Sequence, residues 1–119
     1  MSRILVFDPR DEREQCAREL ANDGLDLVVC QEREALLESF SERRPDAIVY
    51  VLGEWGADRC VLSMLRRVAP NLPMILVGGP AGIDARRAVQ ELRPTYYAVF
   101  PLEPLELCNA IRGALDRRR

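Results

Sequence analysis

The residues best placed for chemistry in this sequence follow its apolar, β-branched stretches. Asp8 follows Arg3–Phe7, and Val51 lies near the end of Asp46–Leu52. Open α/β sheets place their functional groups at the carboxyl ends of the strands, so these two positions are the first candidates for a site. Asp8 brings a carboxylate, whereas Val51 is chemically inert.

Several kinds of catalytic centre are excluded by residue types that the chain lacks. It has no His and no Lys, so all 17 basic residues are Arg. A His-activated nucleophile, a Schiff-base lysine and a P-loop lysine are therefore impossible. Cys16, Cys30, Cys60 and Cys108 are widely spaced and have no His to complete a zinc site, so we expect reduced core residues. No metal or cofactor is predicted.

Glycines at Gly78–Gly82 precede a helical pattern. Backbone N–H groups at such a place can bind an anion. Pro80 interrupts the supply of N–H groups, and the spacing fits neither the dinucleotide-binding nor the P-loop pattern. A loop without a ligand is favoured here, with anion binding as the alternative.

Length and composition indicate one soluble domain. The chain has 119 residues, 48% hydrophobic and 30% charged, and its net charge is −2. A DNA-binding domain usually shows a basic surface, so no nucleic-acid partner is expected, and Arg117–Arg119 is interpreted as a solvated helix end. No apolar run approaches the roughly 18 residues of a membrane span, and the opening stretch does not combine a basic n-region with an apolar h-region. We expect a cytoplasmic domain without a membrane partner.

Hydrophobic periodicity predicts alternating strands and helices. The predicted strands are Arg3–Phe7, Leu25–Cys30, Asp46–Leu52, Met74–Val77 and Tyr96–Phe100. The predicted helices are Arg10–Asn22, Arg33–Arg43, Asp58–Val68, Ile83–Leu92 and a last one that Pro104 opens. This alternation predicts a doubly wound α/β fold, with a five-stranded parallel sheet of flavodoxin-like order 2-1-3-4-5 and helices on both faces.

The third predicted helix carries its own cap and inward face. Asp58 is predicted as its N-cap. The predicted inward residues repeat every three to four positions and are Cys60, Val61, Met64, Leu65 and Val68. In the last helix, Leu107, Ile111 and Leu115 are predicted to face inward.

At this stage the whole chain resembles the receiver domain of two-component response regulators. The resemblance rests on four segments at matching intervals. They are Ile4–Asp8, Arg44–Val49, Asn71–Val77 and Val99–Leu107. It implies one receiver-like domain over residues 1–119, part of a longer signalling protein.

The departures from the family pattern fall on its phosphotransfer residues. The family's activity would be transfer of a phosphoryl group from a kinase histidine to an aspartate with Mg²⁺. Asp8 matches one of its acidic pair, but Pro9 matches the second carboxylate and Val51 the phosphoacceptor. Gly78 matches the switch hydroxyl and Phe100 the lysine. The resemblance therefore implies a pseudo-receiver that is not phosphorylated on the usual aspartate.

Glu54 is the one alternative source of a displaced carboxylate. It lies three positions beyond Val51, from where it could turn toward Asp8 to form a weak two-carboxylate site. A solvated loop glutamate is the favoured interpretation.

The remaining candidates lie on a surface. In the family, the face formed by the fourth helix, the fifth strand and the fifth helix mediates dimerisation or partner docking. Tyr97 matches its switch aromatic, and Tyr96 is predicted to point to the other side of the strand. Arg86, Arg87 and Arg93 lie on or just after the fourth helix, although a solvated helix face remains open for each. Trp55, in a loop between two glycines, is a second exposed anchor candidate.

Two functions are carried forward. The favoured one is a non-catalytic regulatory or protein-interaction domain of a bacterial two-component signalling or transcriptional regulator, possibly with a fused output domain. The alternative is a small-ligand sensor that uses the vacated cleft between Asp8, Val51 and Gly78.

Overall fold

The computed structural model describes residues 2–9, 24–78, 90–99 and 105–118. Its strands are β1 (Arg3–Phe7), β2 (Asp26–Cys30), β3 (Ala47–Val51), β4 (Met74–Gly78) and β5 (Tyr96–Val99). Its helices are α1 (Arg33–Glu42), α2 (Trp55–Val68) and α3 (Glu106–Arg118). All of the predicted first helix, Arg10–Asn22, and most of the predicted fourth helix, Ile83–Leu92, lie outside the described residues. Residues 90–92 are helical.

The five strands form one parallel sheet in the order β2-β1-β3-β4-β5. Its register aligns Phe7 with Cys30 on one side and with Tyr50 on the other. Val51 in turn aligns with Val77. The predicted fold class and strand order are confirmed.

The central strands are buried on both faces, as their continuous apolar sequences require. In β1, β3 and β4 all five residues are buried. Successive side chains point to opposite faces, so Tyr50 and Leu76 join one core cluster while Val51 and Val77 join the other. Residues of α1 and α2 pack into the first cluster, and residues of α3 into the second. The prediction of helices on both faces is confirmed.

The inward face of α3 agrees with the prediction, and α1 also buries one face. Leu36 and Phe40 are buried in α1, and Leu107, Ile111 and Leu115 are buried in α3. Two of the predicted core cysteines, Cys30 and Cys108, are buried and reduced. Cys16 lies outside the described residues.

The prediction for α2 was wrong in two respects. The helix begins at Trp55, three residues before the predicted start, and its N-cap is Glu54. Asp58 therefore lies inside the helix and is not its N-cap. Val61, Leu62 and Leu65 are buried.

Part of the predicted inward face of α2 is exposed. The side chains of Met64 and Val68 are 44% and 49% exposed, and Cys60 is exposed as well. These three residues recur every four positions, and such a row drifts around a helix of 3.6 residues per turn. The buried row instead runs through Asp58, Val61, Leu62 and Leu65.

Candidate functional site

The register brings the predicted site positions to one edge of the sheet. Asp8 directly follows β1, Val51 ends β3 and Gly78 ends β4. Because Phe7 pairs with Tyr50 and Val51 pairs with Val77, all three positions lie at the carboxyl edge of adjacent strands. The edge is held by backbone hydrogen bonds from Asp8 N to Cys30 O, at 3.0 Å, and from Leu52 N to Val77 O, at 2.7 Å.

The groups at this edge fit a metal-dependent phosphoryl site poorly. Asp8 is fully buried, while Pro9 is exposed and offers no ligand atom. Val51 is 2% exposed and packs into the apolar cluster on the α3 side of the sheet. Mg²⁺ prefers oxygen ligands in octahedral geometry. Of these positions only Asp8 supplies a side-chain oxygen, so the residues present do not fit a bound Mg²⁺.

Other metal sites were sought across the part of the chain that the structure describes. It contains no cluster of three or more His, Cys, Asp or Glu side chains placed to hold a metal. Phe100, which matches the family's lysine, lies outside the described residues.

A cluster of polar side chains surrounds Asp58 on the α1 and α2 side of β3, opposite to the side that Val51 faces. This carboxylate is fully buried. Its Oδ1 atom accepts hydrogen bonds from the Tyr50 hydroxyl, at 2.6 Å, and from Arg33 Nε, at 3.0 Å. Its Oδ2 atom accepts from the backbone N–H groups of Gly53, at 2.8 Å, and Glu54, at 2.9 Å. Four donors therefore compensate the buried charge.

Aromatic rings complete this cluster. The Phe7 and Tyr50 rings lie 4.5 Å apart between centroids, and the Arg33 guanidinium lies 5.6 Å from the Phe7 centroid. Burial, followed by the hydrogen bond to Asp58, raises the pKa of the Tyr50 hydroxyl. The phenol therefore stays protonated and donates to Asp58 at neutral pH.

The Asp58 cluster fixes the segment that joins β3 to α2. Asp58 turns back to the two N–H groups that immediately precede the helix, as the acidic partner of a capping box does. Sequence reasoning placed the same residue at the cap and missed its partners. The available signal was Tyr50, a polar-tipped aromatic in an otherwise aliphatic buried strand, because such a hydroxyl usually finds a hydrogen-bond partner.

Glu54 is oriented by the same cluster. Its carboxylate lies 3.6 Å from Arg33 Nη2, and its side chain is 78% exposed. This agrees with the favoured interpretation of a solvated glutamate. A turn toward Asp8 would give up the contact with Arg33.

The proposed interface candidates fall in different environments. Tyr97 is half-buried and packs against the core cluster shared by α1 and α2. Trp55 is also half-buried, at the start of α2, so the prediction of an exposed loop tryptophan was wrong. Arg93 is exposed, with a left-handed φ of 48° just after the helical residues 90–92. Arg86 and Arg87 lie outside the described residues.

Tyr96 points to the opposite side of β5 from Tyr97, as predicted. Its hydroxyl donates to Glu106 Oε1 at 3.0 Å, joining β5 to α3. A groove of about 320 Å³ lies beside this bond, lined in part by Thr95, Asn109 and Gly113. This groove belongs to the β5 and α3 part of the proposed docking face.

No family model matches the chain. Among curated proteins it is similar to the transcriptional regulatory protein PrrA of Mycobacterium tuberculosis and of Mycobacterium bovis. Each is 28% identical over 116 residues, which cover 97% of this chain and 50% of the relative. The chain thus spans about half the length of the curated relatives that it matches.

Solved structures give the fold. A response regulator receiver domain protein from Clostridium thermocellum superposes with a TM-score of 0.83 at 21% identity, covering 99% of this chain and 97% of that one. A CheY-like receiver domain protein from Methanospirillum hungatei gives 0.85 at 17% identity, covering 99% and 96%. NtrX from Brucella abortus gives 0.84 at 19% identity, covering 98% of this chain and 27% of that protein. The chain therefore has the fold of response regulator receiver domains.

Proposed function

We propose that the chain is a receiver-type regulatory domain of a two-component regulator that acts through protein interaction and is not phosphorylated on the usual aspartate. The carboxyl edge of the sheet carries this proposal. Asp8 lies there with Pro9, Val51 and Gly78, so the position of the phosphoacceptor offers a buried methyl-bearing side chain. A transferred phosphoryl group also needs cations that stabilise its charge, and the chain has no lysine.

The lengths of the relatives support an attached output domain. The chain matches about half of PrrA and about a quarter of NtrX. PrrA is a transcriptional regulatory protein, so the domain is proposed to act in the cytoplasm on a fused output. Within the described residues, no helix is long and apolar enough to cross a membrane.

The small-ligand sensor is the weaker proposal. The groove of about 320 Å³ lies between β5 and α3, and another of about 210 Å³ is lined by Arg44, Pro45 and Leu72. Neither is lined by Asp8, Val51 or Gly78. These cavities give no support to a ligand in the vacated cleft.

Treatment with acetyl phosphate and Mg²⁺, or with beryllium fluoride and Mg²⁺, tests the proposal directly. The expected result is an unchanged intact mass and unchanged amide NMR shifts at Asp8, Val51 and Gly78. A phosphorylatable receiver domain treated in parallel is the positive control. A gain of one phosphate, or saturable shifts at these residues, would show that the edge is a working phosphorylation site.

A further inference from the structure

The ring of Tyr97 extends along β4 toward the carboxyl edge of the sheet. The register aligns Tyr97 with Leu76, and Val99 with Gly78. The Tyr97 hydroxyl nevertheless reaches Gly78, two residues farther along β4. A Cβ atom at Gly78 would lie 2.5 Å from Oη of Tyr97 and 3.4 Å from its Cζ. The first distance is far below carbon–oxygen van der Waals contact, so the ring occupies space that any other residue at position 78 would fill.

The ring is packed in this position. The same Cβ point lies 3.7 Å from Cδ1 of Leu52, and Leu52, which follows β3, packs against the same core cluster as Tyr97. Tyr97 packs against the core cluster that contains Leu76. Burial raises the pKa of its hydroxyl. The position of the ring is therefore defined by its neighbours.

We propose that Gly78 is a positioning residue for Tyr97. Because Gly78 has no side chain, the ring can lie against β4 at the carboxyl edge, and this position of the ring fixes the β5 side of the docking face. The consequence for docking rests on the proposed function. The position of the ring does not, since it can be measured on the chain alone.

The physical basis is close packing. Even a methyl group at residue 78 competes with the phenol hydroxyl for one volume, and packed interiors have little free space to share. The ring then turns about its χ1 angle to another staggered position, away from β4. The type of residue at position 78 thus selects between two arrangements of Tyr97, without any bound signal.

Gly78→Ala tests the proposal, with Gly53→Ala as the matched control. A Cβ atom at Gly53 meets nothing within 4 Å. In Gly78→Ala, the NMR contacts between the Tyr97 ring and residue 78 should disappear, and the pKa of Tyr97 should fall toward the ordinary value of about 10. The melting temperature should fall by about 5 °C or more. Gly53→Ala should leave the ring contacts and the pKa unchanged.

Tyr97→Phe supplies the second half of the test. It removes the atom that lies 2.5 Å from the new Cβ and leaves a ring carbon at 3.4 Å. Gly78→Ala should therefore lower the melting temperature much less in the Tyr97→Phe protein than in the parent. Such a difference would show that the two sites are energetically coupled. A single variant that fails to fold while the double variant folds gives the same answer.

Three results would overturn the proposal. The first is that Gly78→Ala leaves the ring contacts and the pKa of Tyr97 unchanged. The second is that Gly78→Ala lowers the melting temperature equally in the parent and in the Tyr97→Phe protein. The third is that neither Gly78→Ala nor the double variant folds. None of these depends on phosphorylation, so the proposed function stands or falls separately in the acetyl phosphate experiment.

Discussion

At the scale of residues, Asp58 is a fully buried carboxylate whose two oxygens are both supplied with hydrogen-bond donors. Asp58 accepts hydrogen bonds from Tyr50, Arg33 and two backbone N–H groups. Arg33 is shared with Glu54 and lies over the Phe7 ring. Because every lone-pair direction of a buried carboxylate is costly to leave unpaired, this group acts as a structural anchor of the β3–α2 segment rather than as a reactive acid.

Removal of this carboxylate should be strongly destabilising. In Asp58→Ala the guanidinium of Arg33, the Tyr50 hydroxyl and two N–H groups lose their acceptor. Breaking a buried ion pair by removing one partner costs about 3–5 kcal/mol, and urea unfolding should show a loss of that size. Glu38→Ala, an exposed acid on α1, is the control, with an expected change within about 0.5 kcal/mol. Equal losses in the two variants would mean that the cluster contributes nothing specific.

Tyr50 should make stability fall at alkaline pH. Its pKa is raised in the folded state, so the folded protein keeps a proton that the unfolded chain loses above about pH 10. The contribution is fully present below that pH and is lost as pH rises toward the folded pKa. In Tyr50→Phe this alkaline decline should be smaller, as measured by urea unfolding between pH 8 and pH 11. Identical slopes for Tyr50→Phe and the parent would contradict the assignment.

At the scale of elements, β3 contributes side chains to both core layers, as β1 and β4 also do. Ile48 and Tyr50 belong to the cluster on the α1 and α2 side, whereas Ala47, Val49 and Val51 belong to the cluster on the α3 side. The strand's end thus presents Val51 to an apolar layer. In open α/β sheets the carboxyl ends of the strands usually carry the functional groups. At the end of β3, Val51 is instead a packing residue.

Val51→Asp should destabilise the fold without restoring phosphorylation. The new carboxylate would be buried beside apolar residues, at a cost of a few kcal/mol or a raised pKa. Val51→Asn is the matched control of similar shape without charge. Because a raised folded pKa favours the protonated form, the stability gap between the Asp and Asn variants should narrow as pH falls from 7 to 4. A stable Asp variant that acetyl phosphate labels would show an active site with unrecognised partners.

At the scale of the whole molecule, the two sides of the sheet differ in their polar contacts and surface grooves. On the α1 and α2 side, the Asp58 cluster joins both helices to β3. Arg66 of α2 donates to the backbone oxygens of Leu92, at 3.1 Å, and of Leu72 before β4, at 2.8 Å. The α3 side carries the groove beside Tyr96, and Arg93 is exposed just after the helical residues 90–92. We therefore keep the proposal that association uses the face of the fourth predicted helix, β5 and α3, where aromatic and Arg side chains are suitable anchors.

Charge reversal at this face should weaken association. The variant Arg87→Glu combined with Arg93→Glu is expected to weaken self-association or partner binding by about tenfold or more, measured by sedimentation equilibrium or pull-down. Tyr97→Ala is a poorer probe, because the half-buried ring would also be lost from the core. Arg43→Glu, at the end of α1, is the control. Unchanged association in the double variant would place the interaction surface elsewhere, with the segment around Trp55 as the next candidate.

The sequence alone determined the architecture. Apolar runs between helical patterns predicted five parallel strands joined by crossover helices. Of the two common orders of doubly wound sheets, five strands fit 2-1-3-4-5. The sequence also predicted which residue types lie at the carboxyl edge of the sheet. Asp8, Val51 and Gly78 could be placed at strand ends from the sequence, and the register then aligned those ends.

Only the tertiary structure decided which side chains meet. The partners of Asp58 come from β3, α1 and its own helix start, so no local spacing could reveal them, and a carboxylate near a helix start reads equally well as an N-cap. Met64 and Val68 are exposed because α2 packs through the row of Val61, Leu62 and Leu65. The contact between Tyr97 and Gly78 joins two strands that are far apart in sequence. Packing between distant segments is decided by three-dimensional shape, which hydrophobic periodicity does not encode.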